Sequence, residues 1–275
     1  MNPVEHTPNE DKSVAMLTAD IKAKLPFYFI KLGDAACELI LRKLRGVHGT
    51  CDGELYTDDL AHKLLGAWLD LRTSRGLYVG DWRTASFSGP NDPSRYDNEY
   101  TLLMSGVRGT MLHFESLLLM RDTPELLAFY RAVRNDNRRK LLLGPAEWFD
   151  LAKLLKCKFL IVPMMPNLID IAPQIAAELK RMNFDVLLYG AGMAGHVAVI
   201  DCWKEHPGRT YVNLGSALDP ATPRGRTRKQ QLRPFDARMF LDRLTTEPIV
   251  TTGRGDALAK AHVRKLGMPS AERAL

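Results

Sequence analysis

The carboxylates of Asp34 and Glu38 have a type and spacing that could hold a metal ion. Asp34 follows Gly33 at the end of residues 26–32, an apolar run that predicts a strand. Residues four apart share one face of a helix, so both side chains could ligate one divalent cation, magnesium or manganese, that also holds a diphosphate. The alternative is that Asp34 only caps the helix that the sequence predicts over residues 34–45.

Three glycines, Gly190, Gly192 and Gly195, form a G-x-G-x-x-G pattern. The pattern follows a predicted strand and opens a helix predicted from about residue 193, a context in which backbone amides could face a phosphate. A dinucleotide site usually has an acidic residue about twenty positions further on. Here the next strand ends at Asn213 instead. An NAD-dependent oxidoreductase is therefore the less favoured alternative, and tight packing of a strand against a helix also explains the glycines.

The excess positive charge is concentrated in one tract. The chain has 38 Lys and Arg residues against 32 Asp and Glu, which gives a net charge of +6. Residues 224–233 hold five cations and no anion, so without them the charge would be 6 − 5 = +1. Such a tract can bind nucleic acid or another polyanion, or it can be a solvated, solubilising segment. Its candidate nucleic-acid-binding residues are Arg224, Arg226, Arg228, Lys229 and Arg233.

Other polar groups have ordinary structural explanations. Asp52 and Glu54 flank a glycine after a loop-like stretch, and a surface turn accounts for them. His113 and Glu115 lie in an apolar run that we interpret as helical, where a buried and hydrogen-bonded histidine is the usual outcome. The sequence has no HExxH, paired-cysteine, GxSxG or Walker motif, so hydrolase and P-loop functions lose their main support.

Cysteine usage and hydropathy bear on the compartment. The four cysteines include no CxxC pair, and Cys157 and Cys202 lie in apolar segments, which favours a reducing, cytoplasmic location. No apolar run approaches the roughly eighteen residues that a membrane span needs, and the N-terminus has no signal-like apolar region. We therefore expect a soluble protein with no membrane partner.

Predicted strands and helices alternate along most of the chain. Near-continuous apolar strands separated by helices are typical of an α/β fold with a mostly parallel sheet and helices on both faces. The division we expect is a flexible tail over residues 1–20, one α/β domain over 21–220 and a basic extension over 221–275. Further strands are predicted at residues 76–80, 140–144, 158–162, 185–189 and 210–214. Further helices are predicted at residues 58–72, 99–119, 123–135, 145–156, 168–182 and 193–205.

Five short segments lie at the ends of these strands. They are Lys31-Leu-Gly33-Asp34, Leu143-Gly144-Pro145, Ile161-Val162-Pro163, Tyr189-Gly190-Ala-Gly192 and Asn213-Leu214-Gly215-Ser216. Their order resembles that of the GT-D-type glycosyltransferases, whose sequences typically carry an Arg-x-Gly-Asp-Gly-Glu element after the first strand. The resemblance covers roughly residues 25–220. It rests on the order of the segments, since none of them is specific alone.

The resemblance implies a Rossmann-like transferase that binds a UDP-sugar with a divalent cation held by an Asp-x-Glu element. Two positions depart from that family, because Ala36 replaces the second carboxylate and Lys31 replaces the arginine. Lysine keeps the charge but not the bidentate phosphate geometry. Glu38 or the Asp52–Glu54 pair could supply the missing carboxylate, or the metal site is weakened or lost. The implied catalytic and metal-binding residues are Asp34 and Glu38, and the implied donor-binding residues are Lys31, Gly33, Gly144, Pro145, Gly190, Gly192, Gly195 and Ser216.

The basic tract suggests what the acceptor could be. Five clustered cations beyond the last strand could hold a polyanion, and this favours DNA bearing hydroxymethylated pyrimidines over a protein or a surface glycan. The alternative is a non-catalytic nucleic-acid-binding α/β protein whose donor site has decayed, which the substitution at Ala36 would allow. Metal-dependent stabilisation by a nucleotide sugar distinguishes the two.

Overall fold

The structure is a computed structural model that describes residues 6–7, 9–40, 53–85, 97–119, 121–163, 165–222 and 236–244, with the backbone alone at positions 6, 7, 34, 35, 99 and 238. Within these residues, eight parallel strands form one sheet in the order β1-β4-β3-β2-β8-β7-β5-β6. The predicted α/β class with a parallel sheet is therefore confirmed. The strands are β1 (His6–Thr7), β2 (Tyr28–Lys31), β3 (Leu77–Asp81), β4 (Thr110–His113), β5 (Lys140–Gly144), β6 (Lys158–Ile161), β7 (Val186–Tyr189) and β8 (Thr210–Asn213).

Helices cover both faces of the sheet. Crossovers between parallel strands are right-handed, so the direction in which the chain moves across the sheet decides the face on which each helix lies. Helices α2, α3, α4, α7 and α8 share one buried core with the sheet, and α1, α5, α6 and α9 share the other. The helices are α1 (Glu10–Ala23), α2 (Asp34–Ile40), α3 (Asp58–Leu71), α4 (Asp97–Met104), α5 (Pro124–Asn135), α6 (Phe149–Leu154), α7 (Leu168–Arg181), α8 (Gly192–Glu205) and α9 (Ala237–Asp242).

The central strands are apolar on both faces because each face meets a layer of helices. In β5, Leu141 and Leu143 join the core under α7 and α8, whereas Leu142 joins the core under α5 and α6. Successive side chains of a strand point to opposite faces, so a strand buried on both sides needs an unbroken apolar run. Among the described helices, none is long and apolar enough to cross a membrane.

Local signals set several helix starts. The hydroxyl of Thr57 accepts a hydrogen bond from the Leu60 amide at 3.1 Å at the start of α3. Thr123 caps α5 in the same way, and Pro124 occupies the first helical position. A capping hydroxyl satisfies an amide that has no partner within the helix, and proline at this position loses no hydrogen bond.

The helix predicted over residues 99–119 is wrong for its second half. Helix α4 ends before Gly106, which has a φ of +77°, and the chain then forms β4 beside β3. A Cβ atom at Gly109 would lie 2.3 Å from the Leu77 carbonyl oxygen, so glycine is needed where β4 approaches β3. His113 consequently lies at the carboxyl end of a strand rather than on a helix.

The expected tail over residues 1–20 differs from the structure, because α1 begins at Glu10. Val14, Leu17 and Ile21 recur at helical spacing and are buried against α5 and the sheet. Asn9 caps this helix by accepting a hydrogen bond from the Lys12 amide at 2.9 Å. The basic residues at 224–233 lie outside the described residues.

Candidate functional site

The carboxyl ends of the parallel strands meet at one edge of the sheet. Ligands of open α/β sheets bind beyond this edge, where neighbouring strands send the chain to opposite faces. Strands β5 and β7 are such neighbours, because β5 leads to α6 on one face and β7 leads to α8 on the other. We therefore take this edge, from β5 across β7 and β8 to β2, as the candidate site.

Lys31 lies at the end of β2 and extends over this edge. Its Nζ donates a hydrogen bond to the carbonyl oxygen of Leu214 at 2.9 Å and lies 5.6 Å from the centre of the Phe114 ring. The side chain passes over Gly80 of β3, where a Cβ atom would be 2.9 Å from the Lys31 Cγ. A half-buried ammonium group in this position can attract an anionic ligand such as a diphosphate.

A left-handed turn at Gly215 lies beside Lys31. Gly215 has a φ of +56°, a conformation that favours glycine, and a Cβ atom there would be 3.3 Å from the Lys31 Nζ. Its carbonyl oxygen packs on Gly190, where a Cβ atom would be 2.3 Å away. The turn at Gly215 thus brings together Lys31, Gly190 and Gly215 from three separate parts of the chain.

Trp148 covers the ends of β5 and β7. A Cβ atom at Gly144 would lie 2.5 Å from the indole, and one at Gly190 would lie 2.3 Å from it. The indole Nε1 donates a hydrogen bond to the buried carboxylate of Asp219 at 3.0 Å. The absence of side chains at both glycines is therefore explained by this ring. Neither Trp148 nor Asp219 was predicted from the sequence, although Trp148 is an aromatic residue four positions after the strand-ending Gly144.

The N-terminus of α8 carries the G-x-G-x-x-G pattern, and its backbone amides donate hydrogen bonds to the carboxylate of Glu54. Glu54 is 2% exposed, and its two oxygens accept hydrogen bonds from the amides of Met193 at 2.8 Å and Ala194 at 2.9 Å. The surface turn expected at Glu54 is therefore wrong. Helix N-termini favour anions, and here the anion is intramolecular. A diphosphate at these two amides would have to displace it, which argues against a dinucleotide site.

The remaining geometry of the pattern is explained by packing. Gly192 has a φ of +64°, and a Cβ atom there would be 2.7 Å from the Glu54 Oε2. A Cβ atom at Gly195 would lie 2.4 Å from the Cβ of Ala191. Both glycines are thus required by close approach, whether or not a ligand binds nearby.

A buried polar network lies beneath the Gly215 turn. The Asn213 Oδ1 accepts a hydrogen bond from the Gly215 amide at 2.6 Å, which fixes the amide orientation and turns Nδ2 towards His196. Nδ2 lies 3.1 Å from the His196 Nε2. The His196 Nδ1 lies 3.2 Å from the Tyr189 hydroxyl, which is 3.0 Å from the Tyr28 hydroxyl. The same Nδ2 also lies 3.3 Å from the His196 Nδ1, so the amide lies against both ring nitrogens and either neutral tautomer leaves it an acceptor nitrogen within reach.

The environment keeps His196 neutral. Burial, together with the nearby Lys31 ammonium, lowers the pKa of His196 from 6.5 to about 4. A charged imidazole would lose hydration and would be repelled by Lys31. The ring therefore serves at physiological pH as a hydrogen-bonding group and not as a cation.

A second cluster of polar side chains lies at the ends of β3 and β4. Asp81 is 1% exposed and accepts hydrogen bonds from the Arg83 Nε at 3.0 Å and Nη2 at 3.1 Å, so it orients a guanidinium that remains 42% exposed. The His113 Nδ1 accepts from the Glu115 amide at 3.2 Å. Burial, followed by the charge of Arg121, lowers the pKa of His113 to about 4. His113 is thus a satisfied, neutral histidine.

The predicted metal ligands begin α2. Asp34 is its first residue, with its backbone alone described, and the partly buried Glu38 lies one turn later. Ala36 is 4% exposed and belongs to the apolar core, so a carboxylate at that position would be buried rather than turned to the site. Within the described side chains, no three of the types His, Cys, Asp and Glu gather as a metal site. Metal ligation by Asp34 and Glu38 therefore stays a prediction.

Comparison with known proteins identifies the fold. No family model and no curated protein matches the sequence. Among solved structures, the chain is similar to one described as a new glycosyltransferase of domain of unknown function 1792 from Streptococcus sanguinis. The two share 13% identity with a TM-score of 0.55, over 78% of this chain and 82% of that one. A second structure of this domain, described as having a distinct glycosyltransferase fold, shares 15% identity with a TM-score of 0.51, over 78% and 85%.

These similarities define the class of fold. The chain has the GT-D-like, Rossmann-like glycosyltransferase fold that the order of its strand-end segments implied. A fold does not by itself fix a reaction, so the residues at the carboxyl edge of the sheet must supply the chemistry of any transfer.

Proposed function

We propose that this protein is a glycosyltransferase that moves a hexosyl group from a nucleotide sugar, with UDP as the nucleotide, to an acceptor hydroxyl. The observation that carries the proposal is the similarity to a glycosyltransferase fold over 78% of the chain. It is supported by the meeting of Lys31, Gly190 and the Gly215 turn at the carboxyl edge, where such folds bind ligands.

Lys31 has the chemistry needed at the donor. Departure of a nucleoside diphosphate leaves negative charge on its oxygens, and a fixed ammonium stabilises that charge in a site with little water. The backbone at Gly215 lies beside this ammonium, and no Cβ at this position blocks the approach. A divalent cation held by Asp34 and Glu38 would add positive charge against the same diphosphate. In this proposal the negative charge of the diphosphate is stabilised both by Lys31 and by the cation that Asp34 and Glu38 would hold.

The proposed acceptor is DNA that bears hydroxymethylated pyrimidines. Its support is the concentration of five cations and no anion in residues 224–233, beyond the last strand of the sheet. A tract of this kind binds a phosphate backbone with little regard to sequence, because each neutralised phosphate releases counterions. The hydroxymethyl group would supply the attacking hydroxyl.

Donor binding is the first test. Thermal unfolding is measured with UDP and with UDP-sugars, each with and without manganese, on the wild type, Lys31→Gln and the control Lys63→Gln. Lys63 is an exposed helical lysine paired with Asp59, so its replacement removes the same charge away from the site. At a hundredfold excess over its dissociation constant, a donor should stabilise the wild type and the control by about 2.7 kcal/mol. Lys31→Gln should lose most of that effect.

The dependence on manganese tests the metal prediction separately. Asp34→Asn keeps the size of the side chain while removing its charge, so it should weaken manganese-dependent stabilisation without unfolding the protein. If no nucleotide or nucleotide sugar stabilises the wild type, the transferase proposal fails and the non-catalytic alternative is favoured. If donors stabilise it equally with and without manganese, only the metal assignment fails.

DNA binding is tested by its dependence on salt. A labelled duplex is titrated at several salt concentrations with the wild type and with a variant in which Arg226, Arg228 and Lys229 are replaced by Gln. The log–log slope should become shallower by about two to three units, at about 0.9 per lost phosphate contact. Transfer is measured by the mass gain of hydroxymethylated DNA. Equal slopes for the two proteins would remove the reason for choosing DNA.

A further inference from the structure

The turn beside Lys31 is held from below by two buried side chains. The Gly215 amide donates to the Asn213 Oδ1 at 2.6 Å, and the Lys31 Nζ donates to the Leu214 carbonyl at 2.9 Å. Asn213 therefore fixes the same short segment on which the Lys31 ammonium rests. If the turn changed its conformation, the acceptor that anchors Lys31 would move with it.

His196 in turn holds Asn213. The Asn213 Nδ2 lies 3.1 Å from the histidine Nε2 and 3.3 Å from the histidine Nδ1, so both ends of the amide have a partner and rotation would break the buried hydrogen bond from the Gly215 amide. His196 lies on α8 and Asn213 ends β8, and both are buried. The connection thus runs from α8, through the end of β8, to the partly buried Gly215 turn beside Lys31.

We infer that Asn213 and His196 are positioning residues for the donor diphosphate, acting through the Gly215 turn and Lys31. This inference rests on the proposed function. Neither side chain needs to touch the ligand, because Asn213 sets the turn and His196 sets the Asn213 amide. A site for charge stabilisation works only when its donors are held in place before the ligand arrives, and buried hydrogen bonds from rigid elements provide that restraint.

The histidine can be tested with a conservative and a non-conservative replacement. The amide of His196→Gln can still accept a hydrogen bond from Asn213, whereas His196→Leu keeps apolar volume and leaves that donor unpaired. Asn213→Ala removes the acceptor of the Gly215 amide directly. The matched control is Tyr130→Phe, which loses one buried hydrogen bond, to the Leu117 carbonyl, within the core on the opposite face of the sheet.

Binding of UDP is measured by calorimetry on the folded variants, with and without manganese, beside the thermal stability of each. Asn213→Ala and His196→Leu should weaken UDP binding about tenfold, the size of effect expected for one misplaced hydrogen-bonding group. His196→Gln and Tyr130→Phe should keep the wild-type affinity, although Tyr130→Phe is also destabilised. Exchange of the Gly215 amide hydrogen should accelerate only in Asn213→Ala and His196→Leu.

The outcomes separate this inference from the function on which it rests. If the wild type binds UDP and both disruptive variants bind it equally well, the positioning role is overturned while the transferase proposal stands. If affinity falls in all four variants in proportion to their stability, the effect is a general loss of folding and the inference is likewise overturned. If the wild type binds neither UDP nor UDP-sugars, the proposed function and this inference fall together.

Discussion

Replacement of Glu54 by glutamine should destabilise the protein more than any ordinary surface charge change. The Glu54 carboxylate is buried and accepts hydrogen bonds from the amides of Met193 and Ala194 at 2.8 and 2.9 Å. It therefore satisfies two of the N-terminal amides of α8 that have no partner within the helix. Glutamine keeps the shape but offers one acceptor oxygen, so its NH₂ group must face the second amide.

The expected cost follows from these two bonds. Hydrogen bonds to a charged group contribute about 1.5–3 kcal/mol each, and a buried donor left without an acceptor costs about 1–3 kcal/mol. One bond is weakened and the other is lost, so we expect the free energy of unfolding to fall by about 3 kcal/mol. For a chain of this size, that corresponds to a decrease of roughly 6–12 °C in the melting temperature.

The assay is thermal and urea unfolding of Glu54→Gln beside Asp58→Asn. Asp58 is an exposed carboxylate in the first turn of α3, so its loss removes a favourable charge at a helix N-terminus in solvent. That control should cost at most about 1 kcal/mol. If Glu54→Gln melts no lower than Asp58→Asn, the reasoning that Glu54 is a structural cap of α8 is refuted.

Four other changes have defined effects on stability. Gly192→Ala should lower the free energy of unfolding by about 1–3 kcal/mol, because Gly192 has a φ of +64°. Gly66→Ala should raise the free energy of unfolding by about 0.5–1 kcal/mol, because Gly66 lies in a helix with open space around it. Chemical denaturation that ranks the stabilities of the two variants in the opposite order would contradict this reasoning. The pKa of His196 is about 4 in the folded state, against 6.5 in the unfolded state. The unfolded state therefore binds more protons between these values, and stability should fall as pH drops through that window, by up to about 3 kcal/mol; urea titrations of wild type and His196→Gln should differ in this component. Trp148→Phe should cost about 1–3 kcal/mol by leaving the buried Asp219 carboxylate without the indole donor, and an unchanged unfolding midpoint would show that this bond contributes nothing.

Local sequence signals predicted much of the fold. The unbroken apolar runs at β5, β7 and β8 indicated strands buried on both faces, and the structure places them side by side in a parallel sheet. The helix predicted over residues 123–135 starts within one residue of α5, which begins at Pro124 after the capping hydroxyl of Thr123. These features depend on backbone periodicity and on residues within one helical turn, so they can be read without knowing the neighbours in space.

Several site features could not be predicted in this way. The sequence placed Gly190 and Gly192 in a phosphate-binding pattern, but nothing near them indicates that Glu54, 139 residues before Met193, bonds the amides of that helix. Trp148 was likewise not expected at the ends of two strands. Both contacts join segments that are distant in the chain, and only the strand order brings them together.

By itself, the sequence determined that this protein has alternating strands and helices, a parallel sheet, and the strand-end segments that pointed to a glycosyltransferase fold. Tertiary structure decided which of those segments meet. The order β2-β8-β7-β5 sets Lys31, the Gly215 turn and Gly190 at one edge, although 183 residues separate Lys31 from the Leu214 carbonyl that anchors it. The physical reason is that periodicity and capping are local, whereas the lateral order of parallel strands is fixed by crossovers and by packing on both faces.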